Sequence, residues 1–384
     1  MMRARTVVLT IVLAAGWSGR AHAQGSIFGV RGLGWLGRPV SARSAGTGGA
    51  LDLLDPEMSA NPAALARFRS VAGWSTAAPT SGTFSGPSGS ADLATVRFPL
   101  FGFAAVLPAR AVIGVSISDY LDRTWTITRQ DTIQSLRGQK EAFTDAGRSI
   151  GGISDMALGA GYRITNDLMI GAAFHYYLGS SRLTSQRLFD TTVSGSLYSQ
   201  LIEQSITDYR GFGGAVGVIA TLGRLDLAAS GRLNGRLRSE NTTGLVAKTQ
   251  LPSQFGVSAR FATVPGVFIS GAAEYSGWGA ANADLVAAGK DGARNVWSLA
   301  AGAEILNSTV FGLRMPLRLG IRHRQLPFLS LGQGIDESAA GGGFGLSFAR
   351  DRTTLDLAFE HGSRSTGPEK ETFSTLFVGL TVRP

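Results

Sequence analysis

From residue 68 onward the sequence is a succession of period-two segments joined by connections that are alternately short and long, and few folds tolerate that arrangement. Leu225, Leu227, Ala229, Gly231 and Leu233 share one face of their segment, and Arg224, Asp226, Ala228, Ser230, Arg232 and Asn234 the other. Leu317, Leu319 and Ile321 oppose Arg318, Gly320, Arg322 and Arg324. Thr353, Leu355, Leu357 and Phe359 oppose Thr354, Asp356, Ala358 and Glu360. Such alternation marks a strand with one apolar and one polar face. About 14 of these segments follow one another, at 68–78, 92–106, 110–122, 148–163, 167–179, 205–222, 224–238, 252–263, 266–277, 295–306, 315–325, 340–350, 353–362 and 372–383. After every second strand the connection is mostly short, as at Pro108-Ala109, Thr165-Asn166, Gly223, Val264-Pro265 and Asp351-Arg352. The remaining connections are mostly long, at 79–91, 123–147, 180–204, 239–251, 278–294, 326–339 and 363–371.

A soluble β-sandwich has no reason to gather its long loops at one end, whereas an outer-membrane barrel has short turns at one rim and long loops at the other. The expected fold is therefore all-β, a transmembrane antiparallel β-barrel of about 14 strands with an N-terminal plug. In that geometry the apolar faces meet lipid and the polar faces line the lumen. Arg260, Glu274, Glu304, Arg318, Arg322, Asp356 and Glu360 fall on polar faces of successive strands and are the candidate lumen-lining residues, placed where opposite signs pair across the interior.

Composition removes the competing classes. Gly supplies 52 of 384 residues, and an interior Gly costs a helix ~1 kcal/mol relative to Ala, which argues against a helical bundle. Past the N-terminus no run approaches the ~18 apolar residues of a spanning helix. The formal charge of +9 comes from scattered arginines rather than a basic patch with interleaved aromatics, so no nucleic-acid partner is expected. With no Cys there is no disulfide framework, and stability must come from one large continuous structure.

The first residues read as an export signal. Arg3 and Arg5 precede the apolar stretch Thr6 to Trp17, and Ala21-His22-Ala23 is a cleavage site. Residues 1–23 are thus expected to be a signal peptide removed after Ala23, sending the chain to the outer membrane of a Gram-negative bacterium. Residues 24–67 do not alternate. Asp55-Pro56 and Asn61-Pro62 each read as an expected N-cap before a proline at the first position of a short helix. Short helices and glycine turns ahead of a barrel suit a plug at 24–67 inside a barrel at 68–384.

The glycine-rich approach, the acidic stretch and then Asn61-Pro62-Ala63 resemble the N-terminal hatch of FadL-type outer-membrane transporters. Leu251-Pro252 opens a strand to Phe261, followed by Val267 to Tyr275 and Trp278, similar to that family's Pro-led strand and its D-x-x-Y-x-x-W hairpin, with Glu274 in the acidic place but shifted in register. Pro316-Leu317-Arg318-Leu319-Gly320-Ile321-Arg322 is like its P-x-R-x-G strand. The last strand departs from bacterial habit by finishing on Pro384 instead of an aromatic residue. The resemblance implies passive uptake of hydrophobic small molecules, long-chain fatty acids or hydrocarbons, gated by a hatch in which Asn61, Pro62 and Ala63 hold one conformation. It also implies a side exit through a strand irregularity, expected near Ile113 to Asp119 with Gly114. Relatives of the fold that serve a secretion machine leave a second reading open, as do a nonselective porin and an adhesin. Loop 180–204, with Leu188, Phe189, Leu197, Tyr198, Leu201 and Ile202, suits a lipid-collecting lip or a protein contact. The expected partners are a hydrophobic ligand, outer-membrane lipid and the barrel assembly machinery, with the chain a monomer.

No enzyme is expected. Gly147-Arg148-Ser149-Ile150-Gly151 matches the G-x-S-x-G string but lacks the strand–turn–helix context that chemistry needs. His175, His323 and His361 are dispersed, so neither a catalytic dyad nor a metal site is expected, and no cofactor.

Overall fold

A computed structural model of the chain describes residues 25–38, 40–87, 89–134, 140–189, 200–242, 244–310, 313–349 and 352–384. The expected signal peptide, and Leu197 and Tyr198 of the expected lip, lie outside these residues. Fourteen antiparallel strands form the barrel. They are β1 (Ala72–Gly86), β2 (Gly89–Val106), β3 (Ala111–Asp122), β4 (Lys140–Arg163), β5 (Leu168–Phe189), β6 (Leu201–Leu222) and β7 (Leu225–Asn234). They continue as β8 (Gln254–Val264), β9 (Val267–Ser276), β10 (Val296–Ile305), β11 (Leu317–Ser330), β12 (Gln333–Phe348), β13 (Thr353–Thr366) and β14 (Glu369–Val382). β3 resumes as Trp125–Gln134 and β7 as Arg236–Asn241, while Gly244–Gln250 leads into β8. Sequence neighbours pair throughout, and β14 pairs with β1, Gly73 opposite Val382, so the sheet closes on itself. Closure leaves no free edge strand in the barrel, the condition for a sheet in lipid.

Each expected strand corresponds to one observed strand. The outward faces carry exposed Phe98, Leu158, Phe174, Phe212, Val216, Leu319 and Ile321, an apolar exterior that only lipid would cover. Among the described residues no helix is long and apolar enough to cross a membrane. The strands are longer than the hydropathy pattern suggests. The stretches 79–91, 326–339 and 363–371 are hairpins that keep pairing to their tips, with Ser330 opposite Gln333 and Thr366 opposite Glu369. Their outer row reads Gln325, Asp336, Ser365, Lys370 and Ser85, so apolar alternation ends where lipid ends while the backbone ladder runs on.

The connection at 277–295 differs. Its two short helical turns, Trp278–Ala281 and Asn282–Ala287, fold inward over the long-loop end of the lumen. Trp278 and Leu285 are fully buried there, with Trp278 against Phe328 at 5.1 Å and Tyr120 at 6.2 Å, and Tyr120 against Tyr177 at 4.5 Å.

Candidate functional site

Residues 25–38 and 40–68 lie against the inward faces of strands on opposite sides of the barrel, and small wall residues make the fit possible. A Cβ on Gly320 would stand 2.0 Å from the Thr47 carbonyl carbon, and one on Gly302 2.6 Å from the Thr47 oxygen. Across the lumen a Cβ on Gly171 would stand 2.4 Å from the Ala63 nitrogen, and Leu65 fills the space beside Gly114 and Gly159. Missing side chains on β3 to β6 and on β10 and β11 are thus the seat of the segment. Within it Ser41 caps the helix Ala42–Gly46 by accepting from Ser44 N at 3.0 Å, and donates to Asp55 Oδ2 at 2.7 Å. Asn61 caps the turn Pro62–Arg67 through Ala63 N at 3.0 Å. Its Nδ2 donates to the Leu53 carbonyl at 2.9 Å, so the two halves of the segment are tied at one amide.

Charge fixes the segment to the wall. Arg38 donates to Glu360 at 2.8 Å, Arg43 grips Glu304 with two nitrogens at 3.0 and 3.1 Å, and Arg67 donates to Asp226 at 3.0 Å. Glu304 also accepts from Arg318 on β11 and pairs with Arg260 on β8 at 3.0 Å. Arg318 reaches on to Asp356, and Arg322 bridges Glu337 and Glu360 at 2.8 and 2.9 Å. Six of the seven candidate lumen residues therefore meet in two connected networks. Glu274 makes no ion pair among the described residues and faces a cavity instead. A further rung was outside the sequence expectation: Arg324, Glu337, Arg364 and Glu371 stand opposite one another on β11 to β14 with alternating sign. Glu337 accepts from Arg322, Arg324 and Arg364 while fully buried.

At the short-turn end Glu57 accepts from Thr381 Oγ1 of β14 at 2.6 Å. Burial, and then repulsion from Asp55, pushes the Glu57 carboxyl up to about 8. Its value in place exceeds the ordinary 4.5, so its contribution to holding the segment is complete below about 4.5 and lost as pH rises through 8. A spin label at position 60 is expected to gain mobility between pH 5 and 9, and Glu57→Gln, uncharged throughout, is expected to abolish that change. Equal mobility profiles in the two proteins would remove Glu57 from the account.

The wall itself is interrupted at β2 and β3. Their ladder runs from Val106–Val112 to Leu100–Ser118 and stops there. Beyond it β3 still pairs with β4, past a bulge between Asp119 and Leu121 that leaves Tyr120 as the extra residue. On the side β2 has vacated, the short strand Trp35–Leu36 pairs with Asp122 and Leu121. Gly37 N donates to the Tyr120 carbonyl at 2.9 Å, and Arg97 of β2 reaches Asp122 at 2.6 Å across the seam. The irregularity is thus at Asp119–Asp122, at the far end of the expected stretch Ile113 to Asp119, while Gly114 itself is paired on both sides, with Ala104 and with Gly159. A bulge depends on what the partner strand offers, and glycine content does not report that.

Inside the seam lies a cavity of about 160 Å³. Leu36, Leu53, Met58 and Tyr120 give it apolar surface, and Arg38, Asp119, Glu274 and Arg322 give it charge. The G-x-S-x-G string is plain strand in β4, and His175 is buried with Nδ1 at 2.8 Å from Asp155. Among the described residues no group of three or more metal-ligating side chains occurs.

No family model and no curated protein matches the chain. Solved structures do. A Pseudomonas aeruginosa FadL homologue is 13% identical, with 91% of this chain and 99% of that one covered at a TM-score of 0.61. The monoaromatic hydrocarbon channel CymD is 12% identical, with 90% and 97% covered at 0.59. The Ralstonia pickettii toluene transporter TbuX is 13% identical, with 90% and 98% covered at 0.57. The chain has the FadL-type fold.

Proposed function

We infer that this chain is an outer-membrane channel for passive uptake of hydrophobic small molecules, with residues 24–67 as a plug that gates it. The observation that carries the reading is the seam. A side exit needs a place where wall pairing is already broken, and β2 and β3 part beside the cavity with two residues of the plug, Trp35 and Leu36, as the strand that fills the gap. An apolar solute gains nothing from a water-filled pore, whereas a part-apolar pocket opening sideways delivers it to lipid. Asn61, Pro62 and Ala63 serve as the fixed end of the plug, and Trp35–Leu36 as its movable end. The solved structures of like fold include a monoaromatic hydrocarbon channel and a toluene transporter, which supports the class of cargo. A nonselective porin draws no support from a lumen crossed by a tethered segment, and a secretion partner draws none from those solved structures. The closed sheet needs no second copy, which favours a monomer inserted by the barrel assembly machinery.

The test is uptake of radiolabelled toluene and of a long-chain fatty acid by cells that lack their own channel for each. Expression of this chain is expected to raise saturable uptake of at least one of them several-fold over empty vector. Rates equal to vector for both would overturn the reading.

A further inference from the structure

The cavity beside the seam is bordered by charges of both signs that are incompletely paired, Asp119 and Glu274 making no ion pair among the described residues. Four arginines and four acids border it: Arg38, Arg232, Arg322 and Arg324, with Asp52, Asp119, Asp155 and Glu274. Arg232 is matched to Asp155 at 2.9 Å, and Arg324 is held by both oxygens of Glu337. Asp52 accepts from Ser44 Oγ. Arg38 and Arg322 are different. Each spends one nitrogen on Glu360, and Arg322 shares that same nitrogen with Glu337. Nε and Nη2 of Arg38 and Nε and Nη1 of Arg322 are buried and have no hydrogen-bond partner among the described residues. Arg322 is 6% exposed. Unpartnered donors on buried guanidinium groups are the costly state of such side chains, and a two-oxygen acceptor is what their planar forks match.

Size limits what carries that acceptor. A cavity of about 150 Å³ in another protein holds benzene, and this one is about 160 Å³. Tyr120 puts an aromatic side chain on its border, its ring tilted by 39° against Tyr177 at 4.5 Å. We propose that the cavity takes a single-ring aromatic carboxylate, its ring beside Tyr120 and its carboxylate on Arg38 and Arg322. The inference rests on the uptake reading and narrows its cargo from hydrophobic molecules in general to compact aromatic acids.

The probes are benzoate and its neutral isostere benzamide, titrated at neutral pH into the purified mature protein in mild detergent. Benzoate is expected to bind at least about ten-fold tighter than benzamide, the scale of a charge-assisted pair. In Arg322→Gln that preference is expected to shrink toward parity. The wild-type comparison needs no variant to fold. Equal binding of the two probes, or benzamide the tighter, overturns the proposal, as does a preference that survives unchanged in Arg322→Gln. Toluene uptake in cells separates the two levels. Toluene entering while benzoate shows no preference sinks the carboxylate alone, and neither toluene nor fatty acid entering sinks the channel reading beneath it.

Discussion

A disulfide between cysteines placed at Leu36 and Leu121 is expected to stop uptake, and reduction to restore it. The two residues are register partners where the short strand Trp35–Leu36 fills the gap left by β2, and antiparallel partners lie at a Cα separation a disulfide spans. The chain has no native Cys to compete. If cargo leaves through the seam, Trp35–Leu36 must unpair from β3 in each transport event, and a covalent bond forbids it. Oxidation should then lower uptake at least about ten-fold, equivalent to ~1.4 kcal/mol or more on the barrier. The control is a second pair at Val106 and Val112, the far end of the intact β2–β3 ladder, where a bond joins strands that have no need to part. Loss of uptake in the first pair alone locates the moving part. Undiminished uptake with the first pair fully oxidised would mean that cargo takes a path that leaves Trp35–Leu36 in place.

The strands were legible in the sequence because lipid enforces a rule that soluble proteins relax. Every outward residue of a spanning strand must be apolar or small, which is why Leu317, Leu319 and Ile321 disclose β11. Above the lipid band that pressure ends, and the hairpin tips at 326–339 and 363–371 lose their pattern while keeping their ladder. The alternating rung was hidden for the same reason, since Glu337, Arg364 and Glu371 sit in those stretches. Arg260, Glu304, Arg318 and Glu360 were legible as inward charges, but not which of them hold the plug, because Arg38 and Arg43 come from a segment with no period. The seam was legible as a kind of feature and, as a place, only to the strand. Its position follows from the bulge at Tyr120 and from two residues, Trp35 and Leu36, far away in sequence. The cavity gathers side chains from the plug and from several strands, a coincidence of closure that no local pattern encodes.

Two buried glutamates separate holding the wall from holding the plug. Glu304 and Glu337 each bind three arginines, and removing the charge from either strands like charges in a dry interior, a loss of about 3–5 kcal/mol. Both Glu304→Gln and Glu337→Gln are therefore expected to lower the temperature at which the barrel unfolds on a heat-modifiability gel. Their consequences for the lumen differ. All three arginines on Glu337 belong to β11 and β13, so its loss loosens wall against wall. Arg43 of the plug is one of the three on Glu304, and with it goes the bidentate tie at the helix Ala42–Gly46. Glu304→Gln is expected to admit a pentose in a liposome-swelling assay, and Glu337→Gln to stay closed although destabilised to a like degree. Swelling by both would mean that general weakening of the barrel opens it, and swelling by neither that Arg38 and Arg67 suffice to keep the plug seated. Only the split between the two glutamates makes Glu304 the residue through which wall and plug are coupled.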